Sequence, residues 1–287
     1  MKSILPVSVV VAAIVVVWYG AAAFMNLAWE RDQAARAGTA PVFSELLTGT
    51  MDQDRPVLPA PHQVAVELWE TTVEKRVTSK RSLIYHGWIT LSATLLGFAM
   101  GTILGILLAV GIVHVRAMEL SVMPWVIASQ TIPILAIAPM IIVVLNAVGL
   151  SGLLPKALIS TYLAFFPVVV GMTKGLRAPD SMQLDLMATY NASAFQILWK
   201  LRLPAALPYL FASLKVAVAI SLVGAIVGEL PTGAVEGLGA RLLAGSYYGQ
   251  TIQIWSALFA AAILAAGLVA IVGVAGRTVT ARMGGSA

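Results

Sequence analysis

Asp180, Gln183, Asp185, Asn191, Ser193, Gln196, Lys200, Arg202 and Pro204 fall in one short stretch between two long apolar runs. Their types suit backbone capping and docking rather than bond-making. Asp180 with Gln183, and Ser193 with Gln196, have the spacing of a capping box, in which two residues satisfy each other's backbone N–H groups. Asn191 lies between the two helices so capped. A left-handed residue would make that turn, and Asn tolerates the conformation better than most. Pro204 and Pro208 cannot continue a helix as interior residues, so a proline exit into the next apolar run is expected. The product is a rigid helix-turn-helix. Leu186, Met187, Phe195, Leu198 and Trp199 are too many apolar side chains for free exposure, and imply a docked partner or packing against the rest of the chain.

Other polar residues interrupt apolar runs. Gln130 and Thr131, next to Pro133, are costly in lipid. They fit either a pore-facing wall or hydrogen bonds between helices. Tyr162 and Phe165 could stack on a flat substrate or simply pack. Glu229, at the end of an apolar run, could contact substrate, or could hydrate or pair with a nearby cation. Lys215 is long enough to snorkel to an interface. Tyr247 and Tyr248 read as interfacial belt. Asn191-Ala192-Ser193 matches a glycosylation sequon, which a cytoplasmic placement would make accidental.

Several chemistries are excluded. The chain has no cysteine, so it has neither a disulfide framework nor a thiolate metal site. His62, His86 and His114 are scattered, which argues against a zinc cluster. No G-x-x-x-x-G-K-[ST] phosphate cradle occurs. The apolar runs hold no Ser/His or His/Asp/Glu constellation, which argues against an intramembrane enzyme. The net charge of +5 fits cytoplasmic loops rather than nucleic-acid binding.

The elements that must position these residues are membrane helices. Hydrophobic residues make up 59% of the 287, and charged residues only 11%, far below a soluble domain. Six spans are expected: residues 4–27, 87–113, 124–145, 157–173, 205–228 and 252–274. The first run exceeds a signal-peptide core, so an uncleaved helix is expected. Lys2, Arg116, Lys174, Arg177, Lys200, Arg202, Arg277 and Arg282 then all face the cytoplasm with both termini. Gly97, Gly101 and Gly105 form a small-residue seam for close helix packing. The domain reading is a first transmembrane helix (1–28) and a periplasmic segment (29–82). A five-helix core (83–287) follows, with a cytoplasmic loop at 175–204. Residues 55–63 should be extended, and residues 64–77 read as an amphipathic helix, either on the membrane surface or as an ordinary surface helix.

The chain resembles the permeases of binding-protein-dependent ABC importers. Their cytoplasmic loop reads Glu-Ala-Ala, three residues, Gly, nine residues, Ile-x-Leu-Pro. Here Asp185-Leu186-Met187 is followed at the same spacing by Asn191 and by Leu201-Arg202-Leu203-Pro204. Asp stands for Glu, Leu-Met for Ala-Ala, Asn for Gly and Leu for Ile. The segments "LPAPHQV", "GWITLSATLLGFAMGTILGILLAV", "SQTIPILAIAPMIIVVL", "LRAPD" and "GAIVGELPTGAVEGLGARLL" resemble the nitrate/taurine/sulfonate branch, which includes pyrimidine-precursor and riboflavin permeases.

The resemblance implies an all-α type I importer (MetI-like) fold. It implies that Asp185, Leu186, Met187, Asn191, Ser193, Phe195, Trp199, Leu203 and Pro204 meet a cytoplasmic ATPase dimer. It further implies a second permease copy, forming a homodimer, and a periplasmic solute-binding protein, with lipid around the spans. ATP and Mg would sit on the partner ATPase, with no cofactor on this chain and no enzymatic activity of its own. The path candidates are Gln130, Thr131, Pro133, Tyr162, Phe165 and Glu229. The scarcity of cations along the apolar, aromatic path favours a pyrimidine-like heterocycle over a sulfonate, taurine or nitrate. The alternative is a stand-alone secondary transporter or channel, which would need ionisable coupling residues near the midplane.

Overall fold

A bilayer offers the backbone no hydrogen-bond partner but itself, so long apolar runs become helix. The computed structural model describes residues 4–38, 43–230 and 236–283, with no strand among them. Lys2 and residues 231–235 of the Gly-rich segment after the fifth span lie outside the described residues. The helices begin with α1 (Ile4–Ala37), α2 (Phe43–Met51), α3 (Pro61–Trp69), α4 (Leu83–His114), α5 (Arg116–Ser129) and α6 (Ile134–Ala147). They continue with α7 (Leu153–Leu176), α8 (Ser181–Thr189), α9 (Ala194–Ile197), α10 (Leu203–Gly228), α11 (Leu238–Tyr248) and α12 (Thr251–Arg282). Among the described residues five helices are long and apolar enough to cross a membrane, and the bent pair α5–α6, taken as one span, makes a sixth.

The chain forms two compact units. The larger comprises Gly87–Gly239 and Ala261–Ala287, and is built around α7. Small residues let its helices touch at backbone distance. A Cβ at Gly97 would fall 2.3 Å from Ser160 Cβ, one at Gly101 2.8 Å from Ala164 Cβ, and one at Gly105 2.7 Å from Val168 Cβ. The numbers rise together, so α4 and α7 run parallel. Against α10 the pairing reverses. Gly171 meets Ser213, Gly175 meets Ala206, and Gly224 meets Ser160. α7 and α10 are therefore antiparallel.

That parallel pairing decides what the bent pair does. The third span is not the single interrupted helix expected from residues 124–145. It is two helices meeting at 100°. Pro133 has no N–H to donate and sits in an extended conformation (φ −61°, ψ 123°) ahead of α6. α4 and α7 run the same way, so α5 and α6 must together return the chain across the membrane. They form a broken span, not a re-entrant loop.

A second expectation is also corrected. Pro204 does not stop the helix. A π turn at Leu198–Arg202 joins α9 to α10, and residues Ala194–Gly228 form one 35-residue helix. The widened turn bonds Leu203 N–H to Leu198 O, five residues back. The extra residue relaxes the demand that a proline ring and its missing donor place on the preceding turn.

The smaller unit comprises Met1–His86 and Ala240–Ala260. Its hub is Asn26, fully buried on α1. The side-chain amide donates to Thr50 O and Leu58 O, both at 3.0 Å, and its oxygen accepts from Val57 N at 2.9 Å. Thr251 Oγ1 donates to Pro56 O at 2.5 Å, which brings the start of α12 to the same segment. Lower on α1, Trp18 stacks on Phe259 and tilts against Trp255, both of α12. The two spans therefore run in opposite directions.

Candidate functional site

The stretch Asp180–Pro204 folds as its spacing predicts up to the proline. Gln183 N–H donates to Asp180 Oδ1 at 2.8 Å, and Asp180 N–H to Gln183 Oε1 at 3.3 Å. Ser193 N–H donates to Gln196 Oε1 at 2.8 Å, and Gln196 N–H returns a bond to Ser193 Oγ at 3.3 Å. Asn191 has φ 48°, the one positive φ at a non-glycine position among the described residues. Around it, Ala192 N–H reaches Met187 O and Asn191 N–H reaches Ala188 O. This is a Schellman motif with Asn in the left-handed place usually held by Gly.

The base of this loop is fixed and its outer side is bare. Leu198 and Leu203 pack on Met172, Leu176 and Ala206, and Arg202 Nη1 donates to Leu176 O at 2.9 Å. Nearby, Arg177 pairs with Glu119 at 2.8 Å. Outward, Leu186 (56% exposed), Phe195 (69%) and Trp199 (58%) stand free, and Met182 and Tyr190 are exposed as well. Phe195 and Trp199 tilt against each other at 5.9 Å. Met187 is half-buried, and Asp185 and Ser193 are exposed.

An apolar groove of about 530 Å³ lies among α4, α6 and α7, lined by Leu104, Met140, Ile141, Val144, Leu145, Leu158, Thr161, Tyr162 and Phe165. The polar atoms of its lining are used elsewhere. Thr161 Oγ1 donates to Ala157 O at 2.8 Å, and Tyr162 Oη donates to Ser129 O. Of the path candidates, Tyr162 and Phe165 line this groove. Gln130, Thr131 and Pro133 do not. They are exposed at the 100° break, where Thr131 Oγ1 turns back to Ala128 O.

Glu229 is fully buried just past α10. Its carboxylate accepts from Thr90 Oγ1 at 3.0 and 3.1 Å and from Gly239 N at 2.8 Å, and lies 3.6 Å from Lys156 Nζ. Thr90 Oγ1 also accepts from Leu238 N at 2.9 Å. Gly237 has φ 121°, and a Cβ there would fall 2.2 Å from the Glu229 Cδ. The carboxylate thus ties α4, α7, α10 and the start of α11. Sequence reasoning missed Thr90. Its only signal is a spacing of four from His86 and Thr94 in an apolar helix.

Three comparisons match this arrangement. Residues 101–285 match the family described as "Binding-protein-dependent transport system inner membrane component". A probable ABC transporter permease protein of Haemophilus influenzae is 32% identical over 202 residues, covering 70% of this chain and 77% of the relative. The formylaminopyrimidine transport permease protein ThiX of Halalkalibacterium halodurans is 33% identical over 184 residues, covering 64% and 68%. Among solved structures, a chain of the inward-facing MetNI methionine ABC transporter shares the fold, with a TM-score of 0.56 at 20% identity over 70% of this chain and 95% of that one. With the helical spans, the capped loop and a family match over most of its length, the chain belongs to the inner-membrane permeases of binding-protein-dependent ABC importers.

Proposed function

We propose that two copies of this permease form the path and that the bare apolar side of α8 and α9 receives a cytoplasmic ATPase dimer. The supporting observation is the contrast within one loop. Its backbone ends are closed by two capping boxes and its base is anchored by Leu198, Leu203 and Arg202, yet Leu186, Phe195 and Trp199 have no cover. Building so rigid a support for exposed apolar area makes sense where a partner docks. This reading puts the loop and both termini in the cytoplasm, and a solute-binding protein on the opposite face. ATP and Mg sit on the partner. The permease contributes two packings that its partners stabilise differently, and no covalent chemistry of its own.

The groove beside Tyr162 and Phe165 is the proposed contact for solute, with Gln130, Thr131 and Pro133 at the break next to it in sequence. The lining offers ring faces and no cation, which suits a pyrimidine-like heterocycle better than a sulfonate or nitrate. Glu229 takes a structural role, since its partners leave it no access to solute. The test is co-purification of the detergent-solubilised permease with its ATPase, paired with uptake by Trp199→Glu. Capture of the ATPase by wild type and its loss with Trp199→Glu are expected. An ATPase still bound, with uptake intact, would overturn the docking face.

A further inference from the structure

We propose that α3 and the π turn after it lie in the membrane surface, with Val66, Trp69 and Val73 set among lipid headgroups and upper acyl chains. The first observation is the stripe itself. These three side chains are 54%, 61% and 58% exposed, and Val77 just beyond them is 57% exposed. They recur every three or four residues, so they share one side of the helix. Another side faces the protein. Val64 and Thr71 are buried there, and Glu67 is half-buried towards Arg241 of α11. Burial raises the Glu67 carboxyl pKa above its ordinary value, and Arg241 opposes that shift. The helix has therefore already used its inward side, and the stripe is a second, unclaimed apolar surface.

The second observation is depth. The start of α3 is pinned to α1 at Trp18 and Tyr19. Trp18 Nε1 donates to Pro59 O at 2.9 Å, and the Tyr19 ring stacks on His62 at 5.9 Å. Both contacts fall within the uncharged part of α1, eleven residues before Glu30 for Tyr19. At 1.5 Å per residue, that is about 16 Å closer to the membrane interior than the first charged side chain of α1. Trp18 and Tyr19 therefore lie within the apolar run of residues 4–27, on the membrane side of the charged end of α1. Trp255, near the start of α12, touches Trp18 and marks the same level. A helix tethered there meets lipid, not bulk water.

Charge and continuity point to the same occupant. Lys75, Arg76 and Arg81 are exposed immediately after the stripe, where lipid phosphates would meet them. Two residues beyond Arg81 the chain begins α4, a span in its own right. The chain thus enters a span only a few residues after these cations.

The chain has no cysteine, so single labels can be placed without background. Val66→Cys, Val73→Cys and, as an aqueous reference, Asp54→Cys would each carry a nitroxide. The full-length protein is placed in nanodiscs of phosphatidylethanolamine and phosphatidylglycerol. Power-saturation spectra are recorded with oxygen and with a water-soluble nickel chelate. The ratio of oxygen to nickel accessibility at positions 66 and 73 should exceed that at 54 by about threefold or more, as for an interfacial helix. Equal ratios at all three positions would overturn the proposal. So would labels accessible to nickel that become shielded only on adding a solute-binding protein, because the stripe would then be a protein contact. Shielding of 66 and 73 from both reagents would point to a second copy of the chain and would also overturn it.

Discussion

The two ends of α10 solve opposite problems. At its start, the polar side chains of Asp180, Gln183, Ser193 and Gln196 serve local turns, and the apolar ones are left outside. Just past its other end, a carboxylate is taken out of solvent and given Thr90, Lys156 and Gly239 as partners. One end presents surface that gains energy when something covers it. The other has spent its interactions already, and any loss there leaves a buried group unpaired. Exposure and burial, more than residue type, separate the part proposed to meet partners from the part that holds the bundle.

The sharpest way to break this comparison is Glu229→Ala. Removing one side of a buried ion pair should cost about 3–5 kcal/mol and lower the melting temperature in detergent. If stability is unchanged, the buried cluster does not hold the bundle. Trp199→Glu comes next and should do the reverse. A docked Trp is worth about 2 kcal/mol or more, so ATPase capture should fall by more than about tenfold with melting unchanged. A melting shift instead of lost capture would make the loop a structural element. Gly224→Ala places a Cβ 2.7 Å from Ser160 Cα, a backbone atom, and overpacking of that kind costs about 1–3 kcal/mol. It should lower stability without selectively weakening ATPase capture. The smallest effect is at Asn191. A left-handed Val costs about 1–2 kcal/mol locally, so Asn191→Val should reduce uptake while Asn191→Gly retains it. Equal uptake by both would remove the Schellman turn from the docking argument.

The sequence showed what is local. Both capping boxes and the left-handed Asn191 depend on residues three to five apart, and each formed as read. The Gly97–Gly101–Gly105 seam was legible because its period matches a helix turn, although its partner on α7 was not. What escaped depends on distant chain segments. Thr90 and Glu229 are 139 positions apart, and no periodicity connects them. The break at residues 130–133 was visible as prolines and polar residues. Its 100° angle, however, follows from how α5 and α6 pack, not from composition. Pro204 misled because its rule concerns ordinary α-helix, and a π turn can absorb it.

That π turn has a mechanical consequence. Since α9 runs on into α10, whatever presses on Phe195 or Trp199 pushes one end of a shaft about 52 Å long, at 1.5 Å for each of its 35 residues. The shaft is not interrupted at Pro204, and its far end abuts the Glu229 cluster. The proposed docking side chains Phe195 and Trp199 thus stand at one end of a single continuous helix, and the buried Glu229 cluster at the other.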